Sequence, residues 1–112
     1  MPAKRKEENL AGKAIDLAGL VDYQAGAIVS RTVLNKKTGT VTIFAFDQGQ
    51  ALSEHTAPFD ALVQVVEGEV EIRIAGQPHS LKKGEMIIMP ANQPHGLKAL
   101  NKFKMLLVMI KS

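Results

Sequence analysis

The chain has 112 residues, a formal net charge of +3 and no cysteine; this points to one domain and excludes disulfides and thiolate metal sites. With 46% hydrophobic and 22% charged residues it can build a packed core, and it is not composed like a disordered chain. The basic residues are scattered: Lys4, Arg5 and Lys6 are countered by Glu7 and Glu8, Lys36 and Lys37 fall in a turn, and Lys82, Lys83, Lys98, Lys102 and Lys104 are spread along the second half.

Tyr23, Phe44, Phe46, Phe59 and Phe103 do not interleave with these charges. No nucleic-acid platform is therefore expected. The segment 1–9 is charged and has no apolar signal region, and the longest apolar run, 105–110, is too short to span a bilayer. The expectation is a cytoplasmic protein with no membrane partner. Residues 1–9 read as frayed, residues 1–12 as a flexible tail, and residues 13–112 as a single barrel domain.

From Leu10 to Tyr23 the spacing is ambiguous. Leu10, Ala14, Leu17 and Val21 would share one helical face, and Asp16 could cap a short helix. The pattern then shifts to period two. Residues 27–34 read as a strand, 35–39 as a turn with Gly39 available for positive φ, and 40–46 as a second strand rich in β-branched and aromatic residues. After a turn at 47–50, residues 61–66 form another strand, closed tightly at Glu67-Gly68-Glu69. Val70, Ile72 and Ile74 alternate with Glu69, Glu71 and Arg73, as a strand with one wet face requires. Turns at 75–78 and 82–84 precede a strand at 86–89, and two more strands follow near 95–100 and 104–110. Short strands punctuated by Gly and Pro, with no βαβ alternation, predict an all-β sandwich or barrel.

One strand breaks the alternation. Leu62, Val63, Val65 and Val66 put apolar side chains on both faces, and the second face needs a cover, most simply a second copy in a homodimer.

Two segments carry a more specific signal. Gly49 stands five residues before His55; Ala57 and Ala61 follow, and Gly68 closes the segment. Further on, Gly84 precedes Pro90 by five residues, followed by Asn92, His95 and Ala99. In spacing these segments resemble the two motifs of the cupin family, over about residues 40–110. The first family motif has two histidines and a glutamate; here His55 is kept, and Ala57 and Ala61 stand at the other two positions. In the second, His95 is kept, while Asn92 replaces a glycine and Ala99 an asparagine. The resemblance implies a cupin-type double-stranded β-helix, or jelly-roll barrel. It also implies a divalent ion (Zn, Ni, Mn, Fe or Cu) held by His55 and His95, the two remaining ligands.

Strand alternation gives the same residues a common location. His55 and Ala57 share a face of an extended chain, Ala61, Val63 and Val65 share one, and His95, Leu97 and Ala99 share another. If these faces line the interior, His55, Ala57, Ala61, Val63, His95 and Leu97 form one pocket. Two imidazoles alone hold such an ion weakly, since catalytic sites usually supply three protein ligands. A third could come from Glu54 or Gln93, in apparent loops, or from Asp60, although alternation points Asp60 outward if Ala61 points in. The competing reading is a hydrogen-bonded histidine pair without metal.

Among the remaining candidates, His79 reads as a surface histidine, Met86 and Met89 as core fillers, and Glu67 and Glu69 as solvated. The family resemblance implies isomerase, sugar-acid or dioxygenase chemistry on a small polar substrate. Exchange of two ligands for alanine also enlarges and dries the cavity, which suits a binding module that does not turn its ligand over. A structural dimer without ligand is the third possibility.

Overall fold

The computed structural model describes residues 10–111. Within them the chain forms strands β1 (Ile28–Lys36), β2 (Gly39–Phe46), β3 (Ala51–His55), β4 (Asp60–Glu67), β5 (Glu69–Ile74), β6 (Gln77–Lys82), β7 (Met86–Met89), β8 (His95–Ala99) and β9 (Phe103–Ile110). They make a five-stranded sheet in the order β1-β2-β9-β4-β7 and a four-stranded sheet in the order β3-β8-β5-β6, with every pair antiparallel. This is the expected all-β jelly roll. The charged run at 4–8 and the rest of the segment 1–9 lie outside the described residues.

The inward sides of both sheets meet in one core. Val63 and Val65 of β4, Met105 of β9, Val70 and Ile72 of β5 and Leu97 of β8 all belong to it. Phe46 and Phe103 stack within it, where β2 ends and β9 begins, with ring centroids 4.7 Å apart, a stacked arrangement that aromatic pairs adopt readily. Gly68 is required at the β4–β5 turn twice over. Its φ of +81° suits glycine, and a Cβ there would run into the Lys102 carbonyl and Phe103.

The structure corrects several details. The first hairpin turns on residues 37 and 38 alone, so β1 and β2 run further than the alternation suggested. Gly39 is not used there for positive φ; it is small because a Cβ would sit 2.7 Å from the Met109 carbonyl oxygen of β9. Residues 77 and 78 are strand, not turn. The β5–β6 hairpin is made by Ala75 and Gly76, with φ of 51° and 83°, the signature of a type I′ turn. Pro78 is tolerated in β6 because that strand is an edge. Met89 is core, whereas Met86 is exposed on the outside.

The ambiguous stretch from Leu10 to Tyr23 has a single 3-10 turn, Leu17–Leu20, and Asp16 makes no side-chain cap. A short polar residue is a weak signal when the helix behind it lasts one turn. Leu17, Leu20, Val21 and Tyr23 instead pack on the outside of the five-stranded sheet, against Ile43, Ala45, Val29, Val66 and Leu106. Val66 is thus covered by its own chain. A polar clasp holds this strap: the Tyr23 hydroxyl donates to Glu67 at 2.6 Å, and the buried Lys104 ammonium donates to the Ala18 carbonyl at 2.6 Å. Lys104 also lies 3.9 Å from the Glu67 carboxylate and 5.0 Å from the Tyr23 ring centroid. Glu67, expected to be solvated, is thus drawn into the clasp, and Lys104 is buried.

Candidate functional site

The two histidines singled out in the sequence meet at one end of the four-stranded sheet. His55 closes β3 and His95 opens β8, directly paired across the two strands. Their ring centroids are 4.4 Å apart in an edge-to-face arrangement at 68°. His95 is buried, with 7% of its surface accessible, while His55 is exposed. The pair therefore bridges the inside of the barrel and solvent.

Local backbone devices produce this meeting. β3 and β8 pair at Leu52–Leu97, and then an irregularity between Leu52 and His55 shifts the register, re-aiming the residue that follows as a bulge does. Gly96 lets the strands approach: a Cβ there would lie 3.0 Å from the Leu52 carbonyl oxygen and 3.2 Å from the Glu54 nitrogen. Sequence reasoning passed over Gly96, although a glycine inside a strand is itself a signal of close backbone approach. Asn92 occupies the left-handed region at φ 67°, which asparagine tolerates better than other non-glycine residues. This explains why Asn92 can stand where the family pattern has glycine. Its N–H donates to the Ala57 carbonyl at 2.7 Å, and Ala75 N–H donates to the Pro94 carbonyl at 2.8 Å; these bonds lock the turn that leads into His95.

Each imidazole is tied to a carbonyl two residues back. His55 Nδ1 lies 2.9 Å from the Ser53 oxygen, and His95 Nδ1 lies 3.2 Å from the Gln93 oxygen. A carbonyl only accepts, so each neutral ring carries its proton on Nδ1 and leaves the Nε2 lone pair open. Metal-ligating histidines are commonly oriented in this way. Burial holds the His95 imidazole below the ordinary histidine pKa; the Gln93 bond partly opposes this, and the His55 charge adds to the lowering. His95 is therefore neutral near pH 7, as a ligand or proton acceptor must be.

The other predicted pocket residues fall into two groups. Ala61, Val63 and Leu97 are buried in the barrel core with Met89. Ala61 stands between Met89 of β7 and Met109 of β9, so apolar side chains flank the position where the family pattern has glutamate. Ala57 lies past the end of β3 in a half-buried loop, tied to Asn92 by its backbone.

The third-ligand candidates point elsewhere. Asp60 is exposed on the face opposite Ala61, where its carboxylate accepts the Ala91 N–H at 2.9 Å. Glu54 is a strand residue that lines an outer groove of the small sheet with Glu71, Arg73 and Lys98. Gln93 contributes its backbone carbonyl to His95, and its side chain is exposed. Among the described residues, no three or more His, Cys, Asp or Glu side chains gather as a metal-ligand set. The donor chemistry thus fits half of a metal centre: two imidazoles oriented through Nδ1 by backbone carbonyls, without a protein carboxylate beside them.

The cupin-domain family model matches residues 42–111. The chain belongs to the cupin family. Among solved structures it is similar to a conserved protein of unknown function from Streptococcus pyogenes, with 34% identity over 98% of this chain and 97% of that one and a TM-score of 0.88. A cupin 2 conserved barrel domain protein from Leptotrichia buccalis is 43% identical over 87% of this chain, with a TM-score of 0.84; the match spans 47% of that longer protein. KdgF from a Halomonas species shares the fold at 21% identity and a TM-score of 0.73, covering 84% of this chain and 91% of that one. No curated protein matches the chain.

Proposed function

We propose that the His55–His95 pair, with Ala57, Ala61, Val63 and Leu97, is the small-molecule pocket of a cytoplasmic, homodimeric cupin. In this reading the two imidazoles act together on a small polar substrate in isomerase or sugar-acid-type chemistry. One observation carries the reading: both Nδ1 atoms are anchored to carbonyls, which leaves two Nε2 lone pairs on rings 4.4 Å apart. Groups fixed in this way need little reorganisation when they bind an ion or accept a proton. His55 and His95 would hold a divalent transition metal, which supplies Lewis-acid polarisation of a substrate oxygen when bound. In the absence of a metal, His95, buried and with its Nε2 lone pair open, would instead accept a proton from substrate, with the exposed His55 ring beside it.

A second reading rests on a separate observation. Ala61, Met89 and Met109 lie side by side on the inner face of the five-stranded sheet, and in this reading they are the apolar lining of a site that retains a ligand without turning it over.

Titration of Zn²⁺ or Ni²⁺ into tag-free full-length protein separates the two. The first reading predicts one weak site per chain, with affinity lowered at least tenfold in both His55→Ala and His95→Ala. Affinity unchanged in both variants contradicts a metal held by this pair. Thermal-shift screening of small sugar acids and aromatic diols then tests the pocket, where stabilisation must depend on His95.

A further inference from the structure

Residues 90–94, the loop between β7 and β8, carry the carbonyl that orients His95. Their path is set where β4 and β7 part. That ladder ends at the pair Ala61–Met89, and the next residue, Pro90, has no N–H with which to continue it. The first donor beyond it is the Ala91 N–H, which the Asp60 carboxylate accepts at 2.9 Å. Asn92 N–H then goes to the Ala57 carbonyl at 2.7 Å, and Gln93 N–H reaches back to the Pro90 carbonyl at 3.4 Å. This last bond closes residues 90–93 into one turn, and the φ of 67° at Asn92 suits the third position of a type II turn. Two consecutive amides thus tie the turn before His95 to the segment that follows His55.

The bond at Asn92 joins backbone groups and asks nothing of the side chains. The bond at Ala91 needs an acceptor at position 60, and an ionised carboxylate makes the stronger kind of hydrogen bond. We propose that Asp60 is a positioning residue for His95: by holding Ala91 it fixes the whole turn, and with it the Gln93 carbonyl that keeps the His95 proton on Nδ1. This rests on the reading of His55 and His95 as one site. Asp60 acts through the turn and ligates nothing. At 3.2 Å the Gln93–His95 bond is at the long end of the useful range, so a small shift of the turn breaks it. His55 is a built-in control, because its anchor, the Ser53 carbonyl, lies within β3 itself, ahead of the segment that Asp60 ends.

Long-range ¹H–¹⁵N spectra of metal-free, full-length protein at pH 7.5, labelled with ¹⁵N-histidine, test this in Asp60→Ala and Asp60→Asn. In D60A the separation between the two His95 ring nitrogen shifts is expected to fall to about half or less as the Nε2–H tautomer becomes populated, while His55 keeps its wild-type spectrum. D60N, whose Oδ1 still accepts the Ala91 N–H, is expected to restore the wild-type His95 signals. The Ala91 amide should exchange with deuterium about tenfold more slowly in wild type than in D60A. An unchanged His95 in D60A, equal changes at both histidines, or a D60N spectrum like that of D60A overturns the role of Asp60. An Ala91 amide that is unprotected in wild type overturns it as well. So does a D60A chain that fails to fold, since the sheets and not one ring would then depend on the bond. Zinc added to wild type checks the two-histidine site separately: Nε2 signals that stay in place contradict that site and leave the result for Asp60, read without metal, untouched.

Discussion

In the five-stranded sheet both faces are apolar. Phe46, Val63 and Met105 point into the barrel, while Ile43, Ala45, Leu106 and Val66 point out and need the strap. The four-stranded sheet alternates instead: Val70, Ile72 and Ile74 face the core, and Glu71, Arg73 and Lys98 border an open outer groove. The large sheet thus carries most of the packing and is covered from outside. The small sheet has one dry face, and at its end the histidine pair reaches the surface. The candidate site lies on the half of the molecule with less to bury, where Gly96 lets the strands approach and position the histidines away from the Phe46–Phe103 stack.

Substitutions should therefore separate the two regions. The largest effect is expected from Phe103→Ala, which removes a fully buried ring stacked on Phe46 and should cost about 3–5 kcal/mol in urea unfolding. A loss below about 1 kcal/mol would mean that the large sheet is not the packing centre. Next is the strap. Tyr23→Phe deletes the hydroxyl bond to Glu67 and should cost about 1–3 kcal/mol, as bonds to charged groups do. Burial, reinforced by Glu67, holds the Tyr23 hydroxyl well above its ordinary pKa of 10.0. A raised folded pKa gives stability that is full below pH 10 and is lost as the pH climbs toward the folded value. The alkaline limb of the stability curve should therefore flatten in Tyr23→Phe.

The small sheet should be probed with acid. The pKa of His95 is lowered on folding from 6.5, so near and below that pH the unfolded chain binds more protons than the folded one. Stability is then full above about pH 6.5 and falls as the pH drops below it. In His95→Gln the contribution of this residue disappears; an unchanged acid limb would contradict the burial of a neutral imidazole. The smallest effect is expected at Ala75, whose φ of 51° is strained for alanine. Ala75→Asn suits the first central position of a type I′ turn and should add about 0.5–1 kcal/mol.

Much of this architecture can be read along the chain, because alternation and turn residues act locally. Period two put Ala61 and Asp60 on opposite faces, the family resemblance pointed Ala61 inward, and the histidines were found at fixed offsets from glycines and a proline. What escaped was set by distant partners. Lys104 is buried because the Ala18 carbonyl, 86 positions away in sequence, receives its ammonium, and Glu67 is drawn in by Tyr23 from 44 positions away. β3 hid for another reason: its mixed sequence Ala51-Leu52-Ser53-Glu54-His55 carries little alternation and is irregular before the histidine. At the hairpin of Ala75 and Gly76, the following proline suggested a later turn, whereas the edge position of β6 lets Pro78 lie within a strand.

The site depends on which ring nitrogen of each histidine is free. Long-range ¹H–¹⁵N correlation spectra of the full chain, labelled with ¹⁵N-histidine and recorded at pH 7.5, read this directly. His55 and His95 should both appear as Nδ1–H tautomers with unprotonated Nε2, and the Nε2 signals should be the ones that move when Zn²⁺ is added. An Nε2–H tautomer at either residue, or zinc shifts confined to His79, would contradict a site built on two open Nε2 atoms.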